Sequence, residues 1–230
     1  MESLLDEART LAENGVRELI LVAQETTIYG KDLYGEKSLH KLLKELCKIS
    51  DIKFIRILYC YPEEIYDELI QTIKEEKKIC NYLDMPIQHC NDTILKRMGR
   101  RTNKQQLKDI VEKLRKEIPD IILRTTLITG FPGETAQMHE ELMEFVDEME
   151  FDRLGVFTYS AEEDTPAANF DEQVDEEIKE DRKFEIMELQ QEIAFEKSES
   201  VIGRELIAMI EGKVADENAY VGRTYMDAPS

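Results

Sequence analysis

The residues best suited to bind a ligand or take part in a reaction lie where predicted strands end. Residues 124–135 read RTTLITGFPGET, an apolar run followed by a glycine-rich turn and residues typical of a helix start. Gly130 and Gly133 have no side chain, so the backbone there could approach a ligand closely, and Glu134 would lie beside the unpaired N–H groups of a helix. The segment lacks the GxGxxG and GK[ST] spacings of nucleotide-binding loops. Taken alone, a capped tight turn is the simpler interpretation.

The ends of the other predicted strands are also polar and rich in turn residues, at 24–30, 59–62, 88–92 and 159–166. Ligands of parallel α/β proteins bind at the carboxyl ends of strands, so we predict a site for a polar small molecule rather than for a metal. His89 lies at one of these ends, but a single histidine is more often structural than a catalytic base. His40 and His139 fall on predicted helices, where we expect them to be solvated. No catalytic set can be assembled, so the catalytic residues stay unassigned.

The four cysteines, Cys47, Cys60, Cys80 and Cys90, include no CxxC pair. Three of them fall in apolar or strand-like segments, where a cysteine is usually a small buried hydrophobe. We favour this interpretation over metal ligation or a disulfide, and we predict no metal-binding residue.

These residues must be positioned by a sheet. Apolar, β-rich runs alternate with helical patterns, which is the signature of a parallel α/β sheet with right-handed crossovers; the predicted strands are 17–23, 53–61, 81–88, 121–128 and 153–159. The series opens on a helix, so a strand is expected to be missing ahead of Met1. Two further strands, 205–212 and 219–224, begin a separate β element that stops before it could close. We therefore expect a chain cut at both ends, with domains at 1–200 and 201–230.

The charge distribution argues against a nucleic-acid binder. The 230 residues carry a net charge of −20, and residues 134–182 contain 18 Asp or Glu against three Lys or Arg. Nucleic-acid binding requires a basic surface, whereas this surface would attract a basic protein; a solvated helix face is the alternative explanation. The amino terminus does not resemble a signal peptide and no apolar run of about 18 residues occurs, so we expect no membrane span and a cytoplasmic protein.

Four segments together resemble one family, the radical SAM methylthiotransferases. They are QETTIYGKDLYG (24–35), LDMPIQHCNDTILKRMGRRT (83–102), LRTTLITGFPGETAQMHEEL (123–142) and VFTYSAEEDTPAA (156–168). They recur in the family's order, and the tail from residue 203 resembles the beginning of its small β-barrel, the TRAM domain. Within the family, the second and fourth segments are more similar to the enzymes that modify an aspartate of a ribosomal protein than to those that modify tRNA adenosine.

The resemblance implies a partial (β/α) barrel of the radical SAM type, here without its first strand. It would bind S-adenosylmethionine over a 4Fe-4S cluster, and reductive cleavage would give a radical that abstracts hydrogen from the substrate aspartate. A methylated sulfur from a second cluster would then be inserted. By position, the residues that would contact S-adenosylmethionine are Gln24, Thr26 and Thr27 at the methionyl amine, Ile128, Gly130 and Glu134 beside the adenosine, Phe157 and Tyr159 on the adenine side, and Gln88 and Arg124 as polar contacts.

The chain also departs from the family's pattern. It contains no C-x₃-C-x₂-C cluster loop and no domain for the second cluster, and Asp164 stands where relatives usually have Gly. We therefore expect a fragment of a methylthiotransferase that is inactive alone, whose parent carries the 4Fe-4S clusters and acts on a basic ribosomal protein. Three alternatives remain: a tRNA-modifying parent, a cluster-less protein-binding module, or a different α/β enzyme that uses His89 and a carboxylate as acid and base.

Overall fold

Five parallel strands form the centre of the molecule, and their order in the sheet is their order in the chain. In the computed structural model, which describes residues 1–229, the strands are β1 (Glu18–Leu21), β2 (Phe54–Ile57), β3 (Ile79–Asp84), β4 (Ile122–Thr129) and β5 (Arg153–Thr158). The helices are α1 (Glu2–Glu13), α2 (Lys31–Tyr34), α3 (Leu39–Cys47), α4 (Asp67–Glu75), α5 (Asp92–Arg97), α6 (Lys104–Glu117), α7 (Ala136–Met149) and α8 (Glu176–Glu199). The predicted parallel α/β fold is confirmed.

The two faces of the sheet differ because side chains alternate along a strand. One face packs against the helices and forms the main core, with Leu19, Ile55, Leu83, Leu123 and Val156 among its buried residues. The other, which we call the open face, carries alternate residues such as Glu18, Arg56, Tyr82, Arg124 and Phe157. Over the described residues, β1 and β5 each pair on one side only, so the sheet is open at both edges.

Two predicted boundaries were wrong for identifiable reasons. The third strand was predicted at 81–88, but β3 ends at Asp84, and Pro86 has no N–H to continue a ladder. Gln88 then has a positive φ of 71°, which is incompatible with an extended strand. The second strand was predicted at 53–61, but β2 ends at Ile57, and Tyr59 has a positive φ of 58°.

The two predicted carboxyl-terminal strands are present as an antiparallel hairpin, β6 (Met209–Lys213) and β7 (Tyr220–Arg223). The chain after β7 lies on the open face, where Met226 packs with Cys80, Tyr82 and Ile122. It is held there by Arg56, which is fully buried and donates to the carbonyl of Tyr225 at 2.7 Å. Residues 224–227 therefore cover the part of the open face that carries Arg56, Tyr82 and Ile122.

Among the described residues, none of the helices combines the length and the apolar character that crossing a membrane requires. The cysteines are free thiols; Cys60, Cys80 and Cys90 are buried and Cys47 is half-buried. The prediction that they act as small hydrophobes is confirmed, because Cys60 and Cys90 pack in the main core.

Candidate functional site

The carboxyl ends of the strands lie at one end of the sheet, which we call the carboxyl edge. There the segments that follow β1 and β2 are joined by hydrogen bonds. Thr26 donates from its backbone N–H to the carbonyl of Tyr59 at 3.0 Å and from its hydroxyl to the carbonyl of Leu58 at 2.6 Å. Glu25 accepts from the N–H groups of Thr27 and Tyr61, both at 2.8 Å. Burial raises the pKa of Glu25 although these bonds favour its ionised form. Thr26 and Thr27 are thus buried and fixed, whereas Gln24 is exposed.

The ion pair between Arg124 and Asp84 and the side-chain amide of Gln88 lie between the segment after β1 and the turn after β4. Arg124 on β4 donates to Asp84 at the end of β3, at 2.6 Å, and its side chain is 37% exposed while that of Asp84 is 4% exposed. Gln88 receives its backbone support from β4, since its N–H donates to Thr126 at 2.9 Å and its carbonyl accepts from Ile128 at 2.8 Å. Its side-chain oxygen is buried and has no partner among the described residues. Arg124 and Gln88 therefore offer polar groups that a ligand could engage.

The turn after β4 is closed from inside by Glu134. Its carboxylate accepts from the N–H groups of Gly130 at 2.6 Å and Phe131 at 3.3 Å, and it lies 3.1 Å from a guanidinium nitrogen of Arg182. Burial raises the pKa of Glu134 even though Arg182 and these N–H groups favour the charged form. Because the carboxylate is fully buried, Glu134 shapes the turn instead of presenting a free group at its surface.

The long helix α8 clamps this turn and the end of β5. Lys179, which is buried, donates to the carbonyl of Tyr159 at 3.1 Å, and its own carbonyl accepts from the hydroxyl of Thr129 at 3.2 Å. A Cβ added at Gly130, which has a φ of 68°, would collide with the side chain of Lys179. Gly130 is therefore needed for the approach of α8. Sequence reasoning missed this role of Lys179 and Arg182; their separation of three residues, which places two cations on one side of an acidic helix, was the available signal.

The end of β5 contributes aromatic surface. Tyr159 is buried, its ring packs edge-on against Phe131 at 5.2 Å between centroids, and its hydroxyl has no partner in the described part of the chain. Phe157 points from the open face and is 61% exposed. The loop beyond reaches Asp164, whose φ of 65° explains why a glycine is expected there, because Asp is one of the few other residues that tolerate this conformation.

The histidines do not form a catalytic centre. His89 is fully buried, its Nδ1 accepts from the N–H of Asn91 at 2.9 Å, and burial lowers its pKa to about 3. A neutral, enclosed imidazole cannot reach a substrate, so the alternative of a His89 acid or base has no geometric support. The expectation that His139 is solvated was wrong, since it is buried between Glu134 and Glu185 with Nε2 2.7 Å from Glu185.

The residues at the strand ends suit a polar, partly aromatic ligand. The unpartnered oxygens of Gln88 and Tyr159, the half-exposed Arg124 and the exposed ring of Phe157 supply hydrogen-bonding and stacking groups along adjacent strand ends. The register aligns Gln88 with Leu127 and Ile128 with Phe157, so positions 88, 128–134 and 157–159 form one group at the carboxyl ends of the strands. Arg124 pairs with Arg153, the first residue of β5, and lies nearer the amino end of β4, whereas residues 24–27 contact the chain that follows β2.

The cysteines do not fit a 4Fe-4S cluster. Burial raises the pKa of Cys47 and Cys90 to about 12 and that of Cys80 to about 11, and Cys60 is shifted in the same direction. Cluster ligands must also converge on one point, whereas Cys60 and Cys90 belong to the main core, Cys47 packs against it, and Cys80 belongs to the separate apolar cluster on the open face. Among residues 1–229, no three Cys, His, Asp or Glu side chains are grouped as a metal site.

Comparison with known proteins agrees with this geometry. Residues 1–146 match the model of the Radical SAM superfamily, which is more than half of the chain, and the chain therefore belongs to the Radical SAM superfamily. At the level of the fold, the chain is similar to the radical S-adenosylmethionine methyltransferase TsrM from Kitasatospora setae, with a TM-score of 0.54 at 16% identity, over 68% of this chain and 30% of that one.

Among curated proteins, the chain is 63% identical over all 230 residues to ribosomal protein uS12 methylthiotransferase RimO of Lachnoclostridium phytofermentans. It is 53% identical over 229 residues to the protein of the same name from Alkaliphilus oremlandii. Both alignments take in 100% of this chain and 52% of the relative. The chain thus spans about half the length of the curated relatives it matches.

Proposed function

We propose that this chain is the S-adenosylmethionine-binding part of a methylthiotransferase that modifies an aspartate of ribosomal protein uS12. The observation that carries the proposal is that all 230 residues of the chain align, at 63% identity, with a protein named as a ribosomal protein uS12 methylthiotransferase. The edge formed by the strand ends supports it independently, because its unpartnered polar atoms and exposed aromatic ring match the two halves of S-adenosylmethionine.

Each proposed contact has a distinct task at the edge. Gln24, Thr26 and Thr27 would hold the methionyl amine, with Thr26 already fixed by the carbonyls of Leu58 and Tyr59 and Thr27 by the carboxylate of Glu25. Asp84 keeps the guanidinium of Arg124 in place, so that Arg124 and Gln88 can bind polar groups of the ligand. Once bound, S-adenosylmethionine would supply the hydrogen-abstracting radical chemistry of the superfamily.

The adenosine half is assigned to the ends of β4 and β5. The backbone from Ile128 to Gly130 would run beside the adenosine, in the shape that buried Glu134 imposes through its two N–H contacts. Phe157 and Tyr159 would lie on the adenine side, where an exposed ring can stack on a base. The proposal thus keeps all ten residues predicted to contact S-adenosylmethionine, with Glu134 acting through the shape of the turn.

The proposal leaves the 4Fe-4S chemistry outside the described residues, since the buried thiols do not fit a cluster. We further propose a domain boundary between residues 200 and 201, with hairpin β6–β7 as the beginning of a TRAM domain.

A ribosomal protein must bind RNA phosphates and is therefore basic. A basic substrate suits a chain of net charge −20, and this charge makes tRNA a less favoured substrate. The compartment we propose is the cytoplasm, where ribosomal proteins are modified.

A chimera tests this function in a complete protein. The segment of the Lachnoclostridium phytofermentans relative that aligns with this chain is replaced by this chain, the protein is reconstituted anaerobically, and uS12 is analysed by mass spectrometry. We expect one methylthio group on a single aspartate, as with the unmodified relative, because the replaced half is 63% identical. A folded chimera that leaves uS12 unmodified, or that modifies tRNA adenosine instead, would overturn the proposal.

A further inference from the structure

A groove runs beside the free edge of β5. It encloses about 430 Å³ between the start of β5 and the outer side of α8. Leu154 of β5 lines it together with Phe184, Met187 and Gln191 of α8. Phe184 is 63% exposed and Met187 is 40% exposed, so the groove leaves apolar surface open to solvent.

The apolar surface continues along one side of α8. Residues 184, 187, 191 and 195 are separated by three, four and four positions and therefore share a face. Phe195, 68% exposed, extends the surface by more than two turns from Phe184. Exposed apolar patches of this kind mark interaction sites more often than isolated side chains do.

The α8 side of this face is acidic, whereas Arg153, which is paired with Asp227, lines the groove from β5. Glu188 and Glu192 are exposed on α8 beside the apolar side chains, whereas two of the helix's basic residues, Lys179 and Arg182, are buried and committed to the turn after β4. The charge that α8 presents to solvent is therefore strongly negative. A partner that covers the apolar side chains must bring positive charge with it.

The edge of β5 adds a second mode of recognition. In the described part of the chain, β5 pairs only with β4, and an extended segment can add to such an edge through main-chain hydrogen bonds. The carboxyl end of β5 leads to Phe157 at the candidate site, and a segment bound along β5 would be directed to that site.

We propose that the groove between β5 and α8 binds an extended, basic segment of the uS12 substrate. Its apolar side chains cover Phe184, Met187 and Phe195, its Lys and Arg side chains face Glu188 and Glu192, and its backbone pairs with β5. This inference rests on the proposed function and adds to it the surface that captures the substrate.

The test is the binding of fluorescently labelled, purified uS12 to the 230-residue chain, followed by anisotropy at low salt. The variants are F184S/F195S and E188K/E192K. The matched controls are L33S, which removes an equally exposed apolar side chain from α2, and E2K/E13K, which makes the same charge change on α1. Both groove variants should weaken binding at least tenfold, the controls less than twofold, and added salt should weaken wild-type binding.

Three results would overturn the inference, and they are distinguishable. Groove variants that bind uS12 like the wild type would remove the groove while leaving the proposed function intact. Self-association of the wild type that is lost in F184S/F195S, with uS12 binding unchanged, would assign the groove to a second copy of the chain. Absence of uS12 binding by every form, including the wild type, would count against the proposed function itself.

Discussion

Replacing Glu134 by Ala is expected to lower the free energy of unfolding by about 3–5 kcal/mol, because breaking a buried ion pair leaves the other charge uncompensated. Here that charge is Arg182, whose side chain is 10% exposed and lies 3.1 Å from the carboxylate. The N–H groups of Gly130 and Phe131 also lose their acceptor. Since a domain is stable by only about 5–15 kcal/mol, chemical denaturation should detect this change easily.

The matched control is Glu140→Ala, at an exposed position of α7, the helix that follows the turn. This substitution should change the free energy of unfolding by less than about 0.5 kcal/mol. The double variant E134Q/R182M removes both charges, and it should be more stable than E134A because no buried charge is left unpaired. If E134A unfolds at the same denaturant concentration as E140A, then Glu134 does not hold the turn in the way described.

Glu18→Gln is expected to have a comparable effect at the other end of the sheet. Glu18 accepts from Arg56 at 3.0 Å and from Arg223 at 3.1 Å, and all three side chains are less than 10% exposed. The amide leaves the buried guanidinium of Arg56 without a counter-charge, and Arg223 keeps only the partly exposed Glu211 at 2.9 Å, so we expect a loss of about 3–5 kcal/mol. Because Arg56 and Arg223 also hold residues 224–227, amide hydrogen exchange in this tail should accelerate.

The pH dependence of stability provides a second readout for Glu18. Burial opposes ionisation, but the hydrogen bonds and charges of Arg223 and Arg56 prevail and lower the pKa of Glu18 below 4.5. The contribution is therefore complete above the unfolded-state pKa near 4.5 and is lost as the pH falls through the lower folded-state value. The difference in stability between wild type and E18Q should shrink below pH 4.5. Glu140→Gln, exposed on α7, is the matched control for the loss of one carboxylate.

The arrangement of strands could be predicted from the sequence because each strand is a local apolar signal. Segments such as RELILVA and IILRTTLI are β-rich and bounded by turn residues, so both their existence and their parallel order follow from alternation with helices. The ends were harder to define. The segment MPIQ has the apolar character of a strand, but Pro86 and the backbone conformation of Gln88 take it out of the ladder.

The contacts that shape the candidate site could not be predicted, because they join distant parts of the chain. Lys179 and Arg182 lie in a strongly acidic segment, for which a solvated face was a reasonable interpretation, yet both are buried against residues 129–134. Likewise, no local pattern pairs Glu18 with Arg223 across 205 positions. The apolar residues of α8 lie both on its buried side, as Ile186 and Ile193, and on its exposed side, as Phe184 and Phe195, so helical periodicity does not show which side faces the sheet.

A nuclear magnetic resonance titration of the ¹⁵N-labelled chain with S-adenosylmethionine examines the proposed binding site at the strand ends residue by residue. We expect the amide signals of residues 24–27, 88, 128–131 and 157–159 to shift together, with one dissociation constant, and those of residues 224–227 to stay in place. If no signal shifts at millimolar ligand, or if only residues away from these strand ends respond, the strand ends do not form this binding site.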